Sequence, residues 1–293
     1  MPFRNTLTTP RAPTPMLTPT QQAQWRDQGF VVVPGFKPPE ALAAVRQRAQ
    51  ELVDAFDPAD GAGIFSTDGL AASRQQWFLD SGDQVRCFFE EEAIDAEGRM
   101  RVPKERSINK IGHALHHLDP VFAAFSMGSD VAALAVALGV QSPRVWQSMV
   151  IFKQPHIGGE VRWHQDATYL IADPIPVTGL WFALEDATLD NGCLWMAPGG
   201  HRGPLRELFV REGDAVELRR LDETPWPSGD AAVPVEVEAG SVVAFHGLMP
   251  HYSAPNRSAR SRLAYTLHFT DGRSAWDSRN WLRTSVESLL GGV

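Results

Sequence analysis

The sequence predicts a mainly β fold, a sandwich or barrel faced by helices near the N-terminus, and three observations carry that expectation. From Arg144 onward the chain breaks into short β-branched and aromatic runs separated by Pro, Gly, Asn and Asp, which is the texture of short antiparallel strands joined by turns. Helical periodicity is confined to the residues before Arg144. The polar residues that read as a binding site are spread from Lys110 to Arg262 and have to converge, so residues 17–293 are taken as one domain. A chain of 293 residues is long enough to give that domain a substantial core.

Taken in order, residues 1–16 carry Pro2, Pro10, Pro13 and Pro15 among Thr and Arg with no apolar period, and read as a flexible arm. Thr18 and Pro19 are an N-cap and first turn leading to Trp25, and Gly29 stops that helix. Phe30 to Val33 reads as a short strand. Pro38 and Pro39 open a second helix with Leu42, Val45, Ala49, Leu52 and Val53 on one stripe, a supporting element. Asp57 to Gly69 is Gly- and Asp-rich and reads as a loop, whereas Ser107 to Leu118 and Pro120 to Leu138 read as helices. Strands are expected at Val145–Phe152, Val161–His164, Val177–Leu184, Cys193–Met196, Val233–Val237, Ser241–Phe245 and Arg262–Phe269. Asn191-Gly192 suits a hairpin turn, because both residues tolerate positive φ. Residues 205–234, charged and Pro-containing, read as an inserted loop able to cover a site.

Composition narrows the function. The formal net charge is -8 and no basic cluster appears, which argues against a nucleic-acid surface. No stretch reads as a signal core or a transmembrane span, so no membrane partner is expected. With Cys87 and Cys193 the only cysteines, the thiols read as reduced residues of a cytoplasmic protein. Oligomeric state is not legible.

The chemistry concentrates in Trp163-His164-Gln165-Asp166. In an extended segment residues two apart share a face, so His164 and Asp166 can bind one ion while Gln165 points away. His-x-Asp alone is a weak pattern. His251, following an apolar run and Pro250, can complete a two-histidine, one-carboxylate face that leaves the other side of a divalent metal open, as expected of a non-haem Fe(II) oxygenase. Arg262 lies eleven positions beyond His251 at the start of another alternating run. Its planar fork of donors matches a carboxylate, the group expected to hold the far end of a dicarboxylate cosubstrate. Together these anchors describe a 2-oxoglutarate site.

Rival readings are weaker. His113 and His117, four apart in an expected helix, resemble a zinc-protease pair but lack the Glu that should follow the first histidine. They read as wall or surface residues, with Lys110 one turn before His113 on the same side. His246 also ends a strand, yet its sixteen-residue distance to Arg262 is long for a ligand and an anchor on neighbouring strands. His156, His201 and His268 read as structural, hydrogen-bonded histidines.

The chain also resembles the phytanoyl-CoA dioxygenase family, most closely its branch of domain-containing proteins. The resemblance runs from about Leu17 to Leu282 through Ile108-Asn-Lys110-Ile-Gly-His-Ala-Leu-His116, Gln147 to Val161, His164-Gln-Asp166, Glu185 to Trp195 and Pro198-Gly-Gly-His201. It implies a double-stranded β-helix, or jelly roll, with N-terminal supporting helices. It implies that His164, Asp166 and His251 ligate Fe(II), that 2-oxoglutarate chelates the metal through its keto and C1 carboxylate oxygens, and that Arg262 pairs with the C5 carboxylate. Lys110, Met149, Trp181 and Ser253 fall where such enzymes border the cosubstrate. The implied reaction consumes O2 and releases succinate and CO2 while hydroxylating a small-molecule C–H. Two departures, Gly200 where the common form has Ser and Trp163 where the nearest branch tends to carry Pro, touch no ligand but can reshape the substrate side. A carboxylate at Asp166 disfavours halogenation, which needs a small residue there, and the nearest branch is not expected to need a CoA thioester. Two readings from other classes stand beside this one: a non-catalytic sensor that binds metal and 2-oxoglutarate, and a non-redox metalloenzyme of cupin type.

Overall fold

Alternation of side chains across a pleated sheet explains most of the architecture, which was taken from a computed structural model describing residues 16–58, 63–64, 72–95, 97, 99–213, 215–284 and 288–290. The arm expected over residues 1–16 lies, Met16 apart, outside the described residues, as does most of the loop expected from Asp57 to Gly69.

The first helix, Pro19–Gln28, closes a reciprocal cap: the Thr18 hydroxyl accepts from the Gln21 N–H at 3.2 Å, and the Gln21 side chain accepts from the Thr18 N–H at 2.9 Å. Gly29 ends it at φ 81°, where any Cβ would also meet the His201 ring. The second helix, Pro39–Ala55, buries Leu42, Val45, Ala49 and Val53 as its stripe foretells. Pro120 to Leu138 is broken at Gly128 into the helices Pro120–Ser126 and Ser129–Ala137. The 18 residues Pro120–Ala137 are long and apolar enough, by length and composition alone, to cross a membrane; in the fold they are two short helices whose Phe122, Phe125, Val131 and Leu134 join the core.

One sequence expectation fails outright. Ser107 to Leu118 is not a helix but the strand Ile108–His113 followed by a single turn, Leu115–Leu118. Antiparallel pairing with Val85–Phe89 on one side and Arg144–Lys153 on the other satisfies its backbone, and sheet context overrides the local pattern. The helical argument that put Lys110 and His113 on one face therefore does not apply, nor does the zinc-protease spacing of His113 and His117.

The major sheet runs Phe30–Val33, Val242–His246, Thr178–Ala183, Arg262–Thr270, Arg144–Lys153, Ile108–His113, Val85–Phe89, Gly63–Ile64. A second sheet, Val233–Val235, Leu194–Met196, His251–Ser253, Val161–His164, faces it. These are the two layers of a jelly roll, as expected. Along the central strands one set of alternate residues, including Leu180, Phe182, Tyr265, Leu267, Val150 and Ile111, packs under the helices. The other set, with Trp181, Ala183, Val243, Phe245 and Ala264, joins Cys193, Leu194 and Met196 of the second sheet. With both faces covered, Thr178–Ala183 is buried throughout.

Residues 205–234 are not the plain loop expected. They form a hairpin, Glu207–Glu212 with Ala215–Arg220, followed by a connection into Val233–Val235. Its alternation is masked by cross-strand charge pairs, Glu207 with Arg220 at 3.1 Å and Glu212 with Arg219 at 3.1 Å. Both cysteines are free and buried.

Candidate metal centre

Strand pairing assembles the site. His164 ends one strand of the second sheet and His251 opens the next, and the two are direct register partners. Asp166 begins a single tight turn, 166–168, that follows the His164 strand after Gln165. The His164 Nε2 and His251 Nε2 lie 3.8 and 3.6 Å from Asp166 Oδ1, and the three ligand atoms sit within 4.8 Å of one another. Each imidazole donates its Nδ1 proton to a carbonyl two residues back: His164 to Arg162 O at 2.8 Å, His251 to Met249 O at 3.0 Å. That fixes the tautomer and leaves both Nε2 lone pairs facing the centre.

Electrostatics prepare the same atoms. Burial, reinforced by the neighbouring His251, pushes His164 down to about 3, so it is held neutral as a ligand must be. Burial alone would raise Asp166, but the charges of His268 and His251 and the hydrogen bond from His268 together hold its carboxyl well below the usual range. Gln165 is turned away, as its position between the ligands requires: its amide donates to Pro204 O and Leu248 O and accepts from the Arg206 N–H, tying the base of the 207–220 hairpin to the centre.

Sequence reasoning underrated His268. Its hydrogen bond is structural as expected, but the partner is the candidate ligand Asp166, Nε2 to Oδ2 at 3.1 Å. The signal was available: counting by twos from Arg262 through Ala264 and Thr266 puts His268 on the same face. His246 is not at the centre. Its Nδ1 accepts from the Leu248 N–H, and its ring packs against His201 and Trp25.

Arg262 starts its strand on the inner face, 1% exposed. Its guanidinium lies over the Trp181 ring at 5.2 Å, its buried Nε has no hydrogen-bond partner, and no carboxylate among the described residues forms an ion pair with it. Burial lowers it to about 10. Lys153, its register partner, spends its ammonium on the carbonyls of Gly159, Ser253 and Ala254. A buried cation with an unsatisfied donor calls for an anion. Met149 and Trp181 flank Thr266 in one row across the sheet, on the Arg262 face. Lys110 is buried in the next strand but one, pushed down to about 7 by burial against the pull of Glu90. Ser253 lies on the His251 strand and donates to Gly192 O at 2.9 Å. The fold thus brings the three expected ligands together and sets Arg262, Trp181, Met149 and Lys110 along one sheet face beside them.

The sequence profile described as Phytanoyl-CoA dioxygenase (PhyH) matches residues 25–264. The chain belongs to the phytanoyl-CoA dioxygenase family. Phytanoyl-CoA dioxygenase domain-containing protein 1 of Bos taurus is 44% identical over 280 residues, covering 92% of this chain and 96% of that one. A phytanoyl-CoA dioxygenase of Arabidopsis thaliana is 41% identical, covering 91% and 94%. Among solved structures, the non-heme alpha ketoglutarate dependent carbocyclase SnoK superposes with a TM-score of 0.64 at 19% identity, covering 91% of this chain and 90% of that one. EctD from S. alaskensis, crystallised with 2-oxoglutarate and 5-hydroxyectoine, gives 0.61 at 19%, covering 92% and 81%. These likenesses show the fold. As a family member the chain is an Fe(II)- and 2-oxoglutarate-dependent dioxygenase with O2 as co-reactant, and its residues fit that chemistry: a nitrogen and oxygen donor set without thiolate suits non-haem iron, and the unbalanced Arg262 suits a diacid.

The centre of this dioxygenase is packed to a tolerance that can be tested. A Cβ on Gly179 would lie 2.9 Å from Asp166 Oδ2 and 2.8 Å from the Phe245 ring. Gly179→Ala therefore displaces the carboxylate, and iron content measured by metal analysis is expected to fall about 10- to 100-fold in affinity, the range for losing a group that orients a ligand. A variant that keeps parental iron affinity would show that Asp166 has freedom the geometry denies it.

Proposed function

We propose that this dioxygenase hydroxylates an unactivated C–H of a small organic molecule that carries no CoA group, with His164, Asp166 and His251 holding the iron, Arg262 pairing with the C5 carboxylate of 2-oxoglutarate, and Lys110, Met149, Trp181 and Ser253 bordering it. The carrying observation is a cluster of three ligand atoms beside a buried guanidinium with an unsatisfied Nε, with which no carboxylate among the described residues forms an ion pair. The iron, when bound, supplies oxygen activation coupled to decarboxylation of 2-oxoglutarate to succinate and CO2. Everything else falls to the chain. Nδ1 hydrogen bonds fix the tautomer and aim of both imidazoles, burial keeps His164 neutral, His268 steadies Asp166, and Arg262 orients the diacid. A cytoplasmic residence belongs to the same proposal, supported by two free thiols.

The test is succinate formation from 2-oxoglutarate with Fe(II), in air and without oxygen, against the same protein loaded with Zn(II). Iron- and oxygen-dependent succinate is the expected outcome. Turnover of a substrate with Zn(II) in the absence of oxygen would favour a non-redox enzyme, and stoichiometric 2-oxoglutarate binding with no succinate at all would leave only a sensor.

A further inference from the structure

His113 is fully buried, yet its Nε2 has no hydrogen-bond partner. Its other nitrogen shows why. The Ser81 hydroxyl has one proton and donates it to Phe78 O, so the oxygen that meets His113 Nδ1 at 2.8 Å acts as acceptor and Nδ1 carries the imidazole proton. The backbone of Ser81 also favours a proton on this ring, while burial first, and then the charge of Lys110, hold the imidazole neutral. Nε2 is therefore a lone pair without a donor, and a buried acceptor in that state costs free energy until something fills it.

The ring sits in an aromatic cluster beside Lys110, which lies on the Arg262 face of the sheet. His113 packs against Phe78 at 5.4 Å, Phe88 at 5.5 Å and Trp281 at 5.0 Å, and the Lys110 ammonium lies 5.8 Å from the centroids of both Phe78 and Phe88. It feels the charge of His268, which bonds the ligand Asp166. Phe78 and Trp281 stack at 4.1 Å and complete an aromatic wall around the imidazole. The 2-oxoglutarate dianion offers only acceptors, and O2 has no proton to give, so neither can satisfy Nε2.

We infer that His113 is a specificity-determining residue whose Nε2 accepts a hydrogen bond from an O–H or N–H of the primary substrate, selecting a compound with a donor on an apolar, ring-sized body. This rests on the oxygenase reading above and names the substrate class for that same site.

The experiment is a cycle between protein and ligand. The iron-loaded protein with 2-oxoglutarate is titrated with a panel of matched probes, alcohols against their methyl ethers and primary amines against their dimethylamines, on phenyl, cyclohexyl and linear alkyl bodies, and the half-saturating concentration for enhanced succinate formation is read. In the parent, at least one donor-bearing probe is expected to half-saturate about tenfold or more below its capped partner, the effect of giving a buried acceptor its only donor. In His113→Phe that ratio collapses towards one, whereas His113→Gln, which keeps an acceptor, restores part of it. A merely structural role would weaken both members of a pair alike and leave the ratio unchanged, which overturns the inference. So does a panel in which no donor-bearing member outperforms its capped partner, the result if a water alone caps Nε2. Iron-dependent succinate formation by the parent without any probe is read first; its absence defeats the oxygenase reading, and its presence with no discrimination defeats this inference alone.

Discussion

Replacing Arg262 with methionine should leave a protein at least as stable as the parent and about a hundredfold weaker in its use of 2-oxoglutarate. The two halves of this result have one cause. The guanidinium is buried, forms no ion pair with a carboxylate among the described residues and leaves Nε unsatisfied, with Lys153 at the opposing strand position. Removing an uncompensated charge from such a place and keeping the apolar length is neutral or stabilising, by about 1–4 kcal/mol for buried ion groups replaced by well-packed hydrophobes. The diacid, in contrast, would lose the planar, two-point contact proposed for Arg262. Truncating one partner of a buried charge pair costs about 2–5 kcal/mol, which at about 1.4 kcal/mol per tenfold spans roughly 30-fold to more than a thousandfold in affinity. Arg262→Lys, which keeps the charge but not the fork, should fall between the two. Denaturant midpoints and the half-saturating 2-oxoglutarate concentration for succinate formation read both effects. A methionine variant that unfolds early yet binds 2-oxoglutarate normally would make Arg262 a structural residue and remove the anchor from the site.

The strands that build the site were legible because their signals are local. Val161–His164 was bounded to the residue, and Arg144–Lys153, Thr178–Ala183 and Arg262–Thr270 lay within a residue or two of their expected ends. The convergence of His164, Asp166 and His251 followed from residue type and spacing, since period two carries His164 and Asp166 to one side whatever the rest of the fold does. What failed was set by distant partners. Ile108–His113 is a strand because Val85–Phe89 and Arg144–Lys153 flank it, and neither neighbour is visible in a window around Ser107. The Glu207–Glu212 hairpin was hidden because its alternation is written in charges that pair across strands rather than in apolar residues facing a core. His268 was legible in principle: its place follows from Arg262 once the strand is accepted, but the identity of its partner depends on a turn 102 positions earlier in the chain.

The largest loss of activity is expected from His251→Ala. His251 comes from a short strand paired, among the described residues, with the strands of His164 and Leu194–Met196, so the second sheet holds its backbone while its Nε2 faces the centre. Truncation therefore removes a ligand without removing a structural hydrogen bond other than Nδ1 to Met249 O. A metal that binds only the folded state stabilises it by RT ln(1 + [metal]/Kd), about 2.7 kcal/mol at a hundred times Kd. For a chain of this size each kcal/mol moves Tm by about 2–4 °C, so Fe(II) under anaerobic conditions should raise the parent's Tm by about 5–10 °C. In His251→Ala that rise should vanish while the metal-free Tm changes little, and succinate formation should fall by more than the roughly 10- to 100-fold that losing an orienting partner such as His268 would cost. The control is His246→Ala, eliminated by its packing against His201 and Trp25. If His251→Ala kept the metal-induced shift and His246→Ala lost it, the second imidazole would have been assigned to the wrong residue, and the open coordination side would have to be redrawn with it.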